Sequence, residues 1–306
     1  MIVHSSAPLR IGLFGGGTDV GEFAEKEGGV VVNMAINIRQ MFAIENKIVK
    51  PQENDLWQVD DFVEGVLKEL NCEGFDWGQK NIDEFIGSGL GSSASAVVAL
   101  VGAANKIHNW GLSKNQIAQK AWDIEVNKLK MFGGKQDQYA ATYGGVNIFY
   151  FSKDGVGRTP INHEHDIFSN ILLFHTGIDR TDHDIQEGLM QLAPDQLNHL
   201  LMVKQKAIDG ATAILEDDVD RMARLLRESW EHKKLSNKGV SNKQIDTIIN
   251  KGKELGAIGW KLNGSGGGGT VLFVVKPNKQ ANFIKKIGLK QIDFEIDYQG
   301  VSTRIL

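Results

Sequence analysis

Glycine constrains this chain more than any other residue. It supplies 35 of 306 positions against 5 prolines, and it gathers in three segments. The first holds Gly12, Gly15, Gly16 and Gly17, the second Gly87, Gly89 and Gly91, the third Gly264, Gly266, Gly267, Gly268 and Gly269. A glycine backbone can approach a ligand closely, and its successive N–H groups can converge into an anion-binding concavity. If the three segments serve one ligand, the fold has to bring the two ends of the chain together.

The middle segment is the most specific. Gly87, Ser88, Gly89, Leu90 and Gly91 lead into Ser92, Ser93 and Ala94, which open an amphipathic pattern over 92–108. A loop of exposed N–H groups delivered onto a helix N-terminus is a phosphate site by geometry and dipole. The two serines can cap the helix or reach a phosphate-bound Mg²⁺. Known phosphate loops do not fit. No Gly-Lys-Ser/Thr triplet occurs, and the formal Gly264, Gly266, Gly269 match to a dinucleotide fingerprint precedes a strand instead of opening a helix.

Composition narrows the class. Hydrophobic residues make up 42% and charged residues 24%, as in ordinary globular chains. A formal net charge of −4 argues against nucleic acid as the main partner. Cys72 is the sole cysteine, and the unbroken apolar run over 96–104 is about half a membrane span. The expectation is a cytoplasmic protein with no membrane partner.

Periodicity places strands at 30–36, 41–49, 146–151, 171–174, 270–275, 292–296 and 301–305. Helices fall at 60–70, 92–108, 113–129, within 184–255 and at 278–287. Strands and helices are mixed rather than alternating, which points to an α+β fold of two lobes. The stretch 152–166, with Gly155, Gly157 and Pro160, reads as the connection, so the lobes are set at 1–160 and 161–306.

Two carboxylates stand out. Glu125 shares a helical stripe with Ala118, Ala121, Trp122 and Leu129, where a carboxylate is costly unless it is paired or binds a metal. Asp137 follows Gly133, Gly134 and Lys135, and the lysine would keep it ionised.

The three glycine segments, in this order and with Glu125 and Asp137, resemble the GHMP kinase superfamily. The second segment is similar to its phosphate loop, with Phe85 or Ile86 where proline is usual. Residues 7–10, Gly15 to Asp19, 134–140 and 176–180 resemble the D-glycero-D-manno-heptose 7-phosphate kinase branch. Galactokinases usually carry Gly-Glu-His-Thr-Asp at the first motif, where this chain has Gly16 and Gly17 in place of the Glu-His pair.

The resemblance implies a ribosomal-S5-like first lobe, a ferredoxin-like second lobe and the active site between them. It implies an enzyme that transfers the γ-phosphoryl group of ATP to the anomeric hydroxyl of a heptose 7-phosphate. Gly87 to Ala94 would wrap the triphosphate, and Ser93 with Glu125 would hold Mg²⁺. Asp137 would orient or accept the hydroxyl proton, with Lys135 and Arg10 in support. Gly16, Gly17, Thr18 and Asp19 would meet the sugar, and Gly266 and Gly267 would line the cleft. A substrate phosphate needs a further cation, for which Arg180 and Arg39 are candidates. Related readings are a kinase for fucose, galactose or a uronic acid, or a sugar-sensing regulator, and the intact Ser93, Glu125 and Asp137 argue against the last. Monomer and homodimer both remain open.

Overall fold

The computed structural model describes residues 1–48, 60–80, 85–161, 165–178 and 193–306. Val49, 184–192 and Arg180 therefore lie outside the described residues. Strands β1 (Ile2–Phe14), β2 (Gly29–Ile48), β3 (Phe75–Lys80), β4 (Val146–Ser152) and β5 (Gly155–Ile161) come from the first half. Strands β6 (Ile171–His175), β7 (Gly259–Leu262), β8 (Thr270–Val274), β9 (Gln291–Ile292) and β10 (Ser302–Ile305) come from the second. They form two antiparallel sheets, one in the order β10-β1-β2-β4-β5 with β3 on β2, the other in the order β7-β8-β6-β9.

The helices are α1 (Gly21–Lys26), α2 (Asp61–Glu69), α3 (Ser92–Ile107), α4 (Lys114–Trp122), α5 (Gln136–Tyr143), α6 (Pro194–Leu215), α7 (Val219–Ser236), α8 (Lys243–Glu254) and α9 (Pro277–Ile287). Local chemistry sets several starts. Asp60 caps α2 through the Phe62 and Val63 N–H groups, Ser113 and Gln116 close a capping box on α4, and Asn242 caps α8. Helix α3 is buried on nearly every side, as its Val, Ala and Leu content requires. The second lobe follows a β-α-β-β-α-β path with its first strand inside the sheet, which is the split ferredoxin-like arrangement.

Helices α6 and α7 join the two sheets. Ala207, Ala211 and Ile214 of α6 and Met222, Leu225 and Leu226 of α7 share one core with Leu9, Ile11 and Leu13 of β1 and Leu272 and Val274 of β8. Among the described residues, no helix is long and apolar enough to cross a membrane.

Four local expectations change. Residues 2–14 form a long strand that the apolar pattern does not announce. The strands expected at 30–36 and 41–49 are one strand, β2, with a register shift opposite Pro8 and Leu9. The stretch expected as the connection instead holds β5, hydrogen-bonded to β4. The helix expected over 113–129 is α-helical only to Trp122 and continues as a π-helical segment, Asp123–Lys128.

Arg39 sits at the register shift. It pairs with Asp297 and donates to Ser6 Oγ at 3.2 Å, Ser6 O at 3.1 Å and Gly300 O at 2.6 Å. These contacts bind the C-terminal segment to β1 and β2, so Arg39 is a fold residue rather than a phosphate ligand. Removing one partner of a buried pair leaves the other charge uncompensated. Arg39→Leu is expected to lose about 3 kcal/mol of stability, read as the shift of a urea unfolding curve.

Candidate active site

The three glycine segments meet around a cavity of about 540 Å³. Gly87, Gly89 and Gly91 have φ of +70°, +81° and +75°, in the left-handed region that favours glycine. Two of the segments touch backbone to backbone. A Cβ on Gly89 would lie 2.6 Å from Asn263 O, and one on Gly269 would lie 2.5 Å from Ser88 O. Gly91 is the N-cap of α3, and among the described residues no side chain caps that helix. Ser92 and Ser93 are therefore not caps, and the first turn of α3 lines the cavity together with Gly87, Gly89, Gly91 and Ala94. Ser88 and Leu90 shape the loop from behind. Ser88 Oγ donates to Phe85 O at 2.7 Å, and the Leu90 side chain is fully buried.

Asp137 stands at the mouth of that helix, close enough that a Cβ on Gly91 would be 3.2 Å from its Oδ2. Its cationic partner is Arg10, which donates from Nε and Nη2 to the two carboxylate oxygens, each at 2.6 Å. The third contact of Arg10 runs from Nη1 to Gly89 O. Lys135, expected beside Asp137, instead places its ammonium over the Trp122 ring, 4.4 Å from the centroid, and does not line the cavity.

The π-helical segment carries Glu125 into the cavity wall, a location where such segments are common at functional sites. Its carboxylate bonds the Ser93 hydroxyl and accepts from Gln138 Nε2 at 2.6 Å. Burial outweighs those bonds and pushes the Glu125 carboxyl up to about 7. The Gln138 Oε1 beside it is buried and has no hydrogen-bond partner among the described residues. Hydroxyl, carboxylate and amide oxygens are hard donors, and Mg²⁺ is usually held by one or two carboxylates plus substrate phosphates. The donor set fits such a cation.

On the opposite wall, Gly16, Gly17 and Asp19 line the cavity. Asp19 accepts from Gln136 N at 3.0 Å and Gln136 Nε2 at 2.8 Å. Burial raises its carboxyl above the ordinary range against those bonds, with the nearby Asp137 charge adding to the effect. Gly134 makes room for it, since a Cβ there would fall 1.9 Å from Asp19 Oδ2. Thr18 faces inward, donating to Gly15 O at 2.8 Å and accepting from Val30 N at 3.1 Å, so it holds the turn rather than a ligand.

From the third segment the cavity takes Gly264 and Ser265. Gly266 and Gly267, expected in the cleft, pack on Val240 instead, with Gly267 N donating to Val240 O at 3.1 Å. Five polar side chains in the cavity wall are not singled out by the sequence: Gln136, Gln138, Lys130, Lys233 and Lys261. A signal existed only for the first two, which flank Asp137.

Comparison with known proteins identifies the family. The GHMP kinases N terminal domain matches residues 59–145 and the GHMP kinases C terminal domain matches residues 211–290, together more than half of the chain. The D-glycero-α-D-manno-heptose 7-phosphate kinase of Campylobacter jejuni is 29% identical, with 98% of each chain covered. A D-glycero-D-manno-heptose 1-phosphate kinase from Bacteroides thetaiotaomicron superposes with a TM-score of 0.78 at 26% identity, covering 99% of both chains. Lactococcus lactis galactokinase complexed with galactose, at 17% identity and TM-score 0.71, covers 100% of this chain and 95% of its own, and shares the fold.

Glu125 makes stability depend on pH. Its carboxyl titrates near 4.5 when unfolded and near 7 when folded. Between these values the folded state keeps a proton that the unfolded state releases, so stability falls as pH rises through that window. Glu125→Gln is neutral throughout. Without divalent cations it is expected to gain on the native protein from about pH 4.5 upward, by about 3 kcal/mol at pH 8. Thermal unfolding in EDTA across pH 4.5 to 8 reads the difference, and a constant offset would contradict the burial argument.

Proposed function

The chain belongs to the GHMP kinases, phosphotransferases acting on alcohol groups, and from that premise we propose that it is an ATP-dependent sugar kinase acting on a manno-heptose phosphate. The reaction in this reading moves the γ-phosphoryl group of ATP to the anomeric hydroxyl of D-glycero-D-manno-heptose 7-phosphate, giving the 1,7-bisphosphate. The observation that carries it is the position of Asp137. A carboxylate able to take a hydroxyl proton stands against Gly91, at the uncapped N-terminus of α3.

Residues 1–160 then supply the nucleotide loop, and residues 161–306 form the second lobe apart from β10, which returns to the first sheet. Main-chain N–H groups from Gly87 to Ala94 and the α3 dipole bind the triphosphate oxygens. Ser93 and Glu125 are the side chains that would hold Mg²⁺. When bound there, the cation neutralises charge on the transferring phosphates. Asp137 accepts the hydrogen bond of the attacking hydroxyl and aims its oxygen at phosphorus. Arg10 fixes both oxygens of that carboxylate, so its orientation is set before the substrate arrives. Asp19, held by Gln136, receives the remaining sugar hydroxyls beside Gly16 and Gly17. Phosphoryl transfer depends chiefly on such positioning and charge neutralisation.

The direct test is ADP release with a sugar panel. Heptose 7-phosphate is expected to exceed galactose, fucose and mevalonate in kcat/KM, and no ADP above background with any sugar would overturn the reading. Asp137→Asn keeps the shape but removes the charge, and kcat is expected to fall by roughly 10²-fold or more at nearly unchanged ATP affinity. Near-native kcat in a folded Asp137→Asn protein would remove it from the mechanism. Ser93→Ala and Glu125→Ala are each expected to raise the Mg²⁺ concentration for half-maximal rate by about tenfold or more, measured in magnesium titrations of the rate.

A further inference from the structure

A sugar that already carries a phosphate brings a dianion into the cavity, and Arg39 is held in the fold by Asp297. Besides Arg10, which is paired with Asp137, and the exposed Lys130, the cavity wall contains two cations, Lys233 from α7 and Lys261 from β7. Lys261 donates to Gly12 O and Lys233 donates to Gly264 O. Both border the first glycine segment. A Cβ on Gly12 would lie 4.0 Å from Lys261 Nζ, and one on Gly16 would lie 3.6 Å from Lys233 Nζ. The Gln136 side chain that holds Asp19 is 3.8 Å from each of those positions. The two ammonium groups therefore stand along the wall that carries Asp19.

Lys261 is buried, and among the described residues it forms no ion pair. Burial, with the charges of Lys233 and Arg10 nearby, drives its ammonium well below the ordinary lysine range. A buried cation facing other cations is unfavourable until an anion joins it. Neutral sugar hydroxyls call for no such arrangement.

We propose that Lys261 and Lys233 form a phosphomonoester subsite on the acceptor side of the cavity, which holds the phosphate that the sugar already bears. The proposal rests on the sugar-kinase reading. The phosphate oxygens accept hydrogen bonds from both ammonium groups, and the bare backbone of Gly12, Gly16 and Gly17 leaves them space. The sugar then extends past Asp19 toward Asp137. The same chemistry would suit the γ-phosphate of the nucleotide, so the experiment has to separate the two sources.

Calorimetric titration does so without requiring turnover. The native protein, Lys233→Gln and Lys261→Gln are titrated with D-glycero-D-manno-heptose 7-phosphate, with the unphosphorylated heptose and with a non-hydrolysable ATP analogue. The native protein is expected to bind the phosphorylated sugar at least tenfold more tightly than the neutral one. Each variant is expected to lose tenfold or more of that preference while keeping its affinity for the ATP analogue. Equal native affinity for the two sugars, or variants that weaken only the ATP analogue, would overturn the proposal. Should thermal unfolding show that Lys261→Gln does not fold, the half-buried Lys233→Gln decides alone. Lysine-dependent binding in a protein that phosphorylates nothing would sink the kinase reading and leave the subsite standing. Turnover of both sugars at equal KM would do the reverse.

Discussion

Arg10 projects from the middle of β1, nearly fully buried, and its guanidinium joins three elements. Nη1 holds the carbonyl of Gly89 in the second glycine segment, while Nε and Nη2 hold Asp137 at the start of α5. Its backbone N–H adds a bond to Leu90 O at 2.9 Å. A lysine could not reproduce this, because an ammonium has no planar fork to span a carboxylate and a carbonyl at fixed angles. The charge is tolerable in the interior because the Asp137 carboxylate neutralises it and three of its N–H groups are bonded. The glycine loop and the carboxylate thus keep their relation to each other through the strand.

The second lobe is attached with similar economy. Gly89 lies against Asn263 and Gly269 lies against Ser88 at distances that exclude any Cβ, so the two loops act as one wall. Behind them, α6 and α7 share their apolar faces with both sheets. Native cores are close-packed and deform little. The lysines of α7 and β7 are consequently presented to Gly16 and Gly12 by packing rather than by a hinge.

What the sequence makes legible is local. The glycine loop, the α3 pattern and the two carboxylates each carry their signal within a few residues, and the resemblance adds their order. Strand β1 escapes because Ser5, Ser6, Pro8, Arg10 and Gly12 break its alternation, although it is covered along most of its length. Strand β5 escapes because Gly155, Gly157 and Pro160 read as a linker, and an edge strand tolerates all three. The partner of Asp137 is misread for a different reason. Lys135 is its neighbour along the chain, but the backbone turns that side chain toward Trp122, and the partner in space comes from a strand near the N-terminus. Lys233 and Lys261 show nothing locally, since two lysines on separate elements become a pair only once the sheet and helix have packed.

The last strand introduces an ordering in time. Strand β10 closes the first sheet by pairing Val3 to Ser6 with Ile305 to Ser302. Until residues 302–305 exist, a chain growing from its N-terminus carries β1 with one edge bare, open to any other strand that presents itself. The loop of Gly87, Gly89 and Gly91 hangs on that same β1 through Arg10. The first lobe can therefore gather its core early, but its sheet is finished only by residues 302–305, across a long loop closure back to residues 3–6.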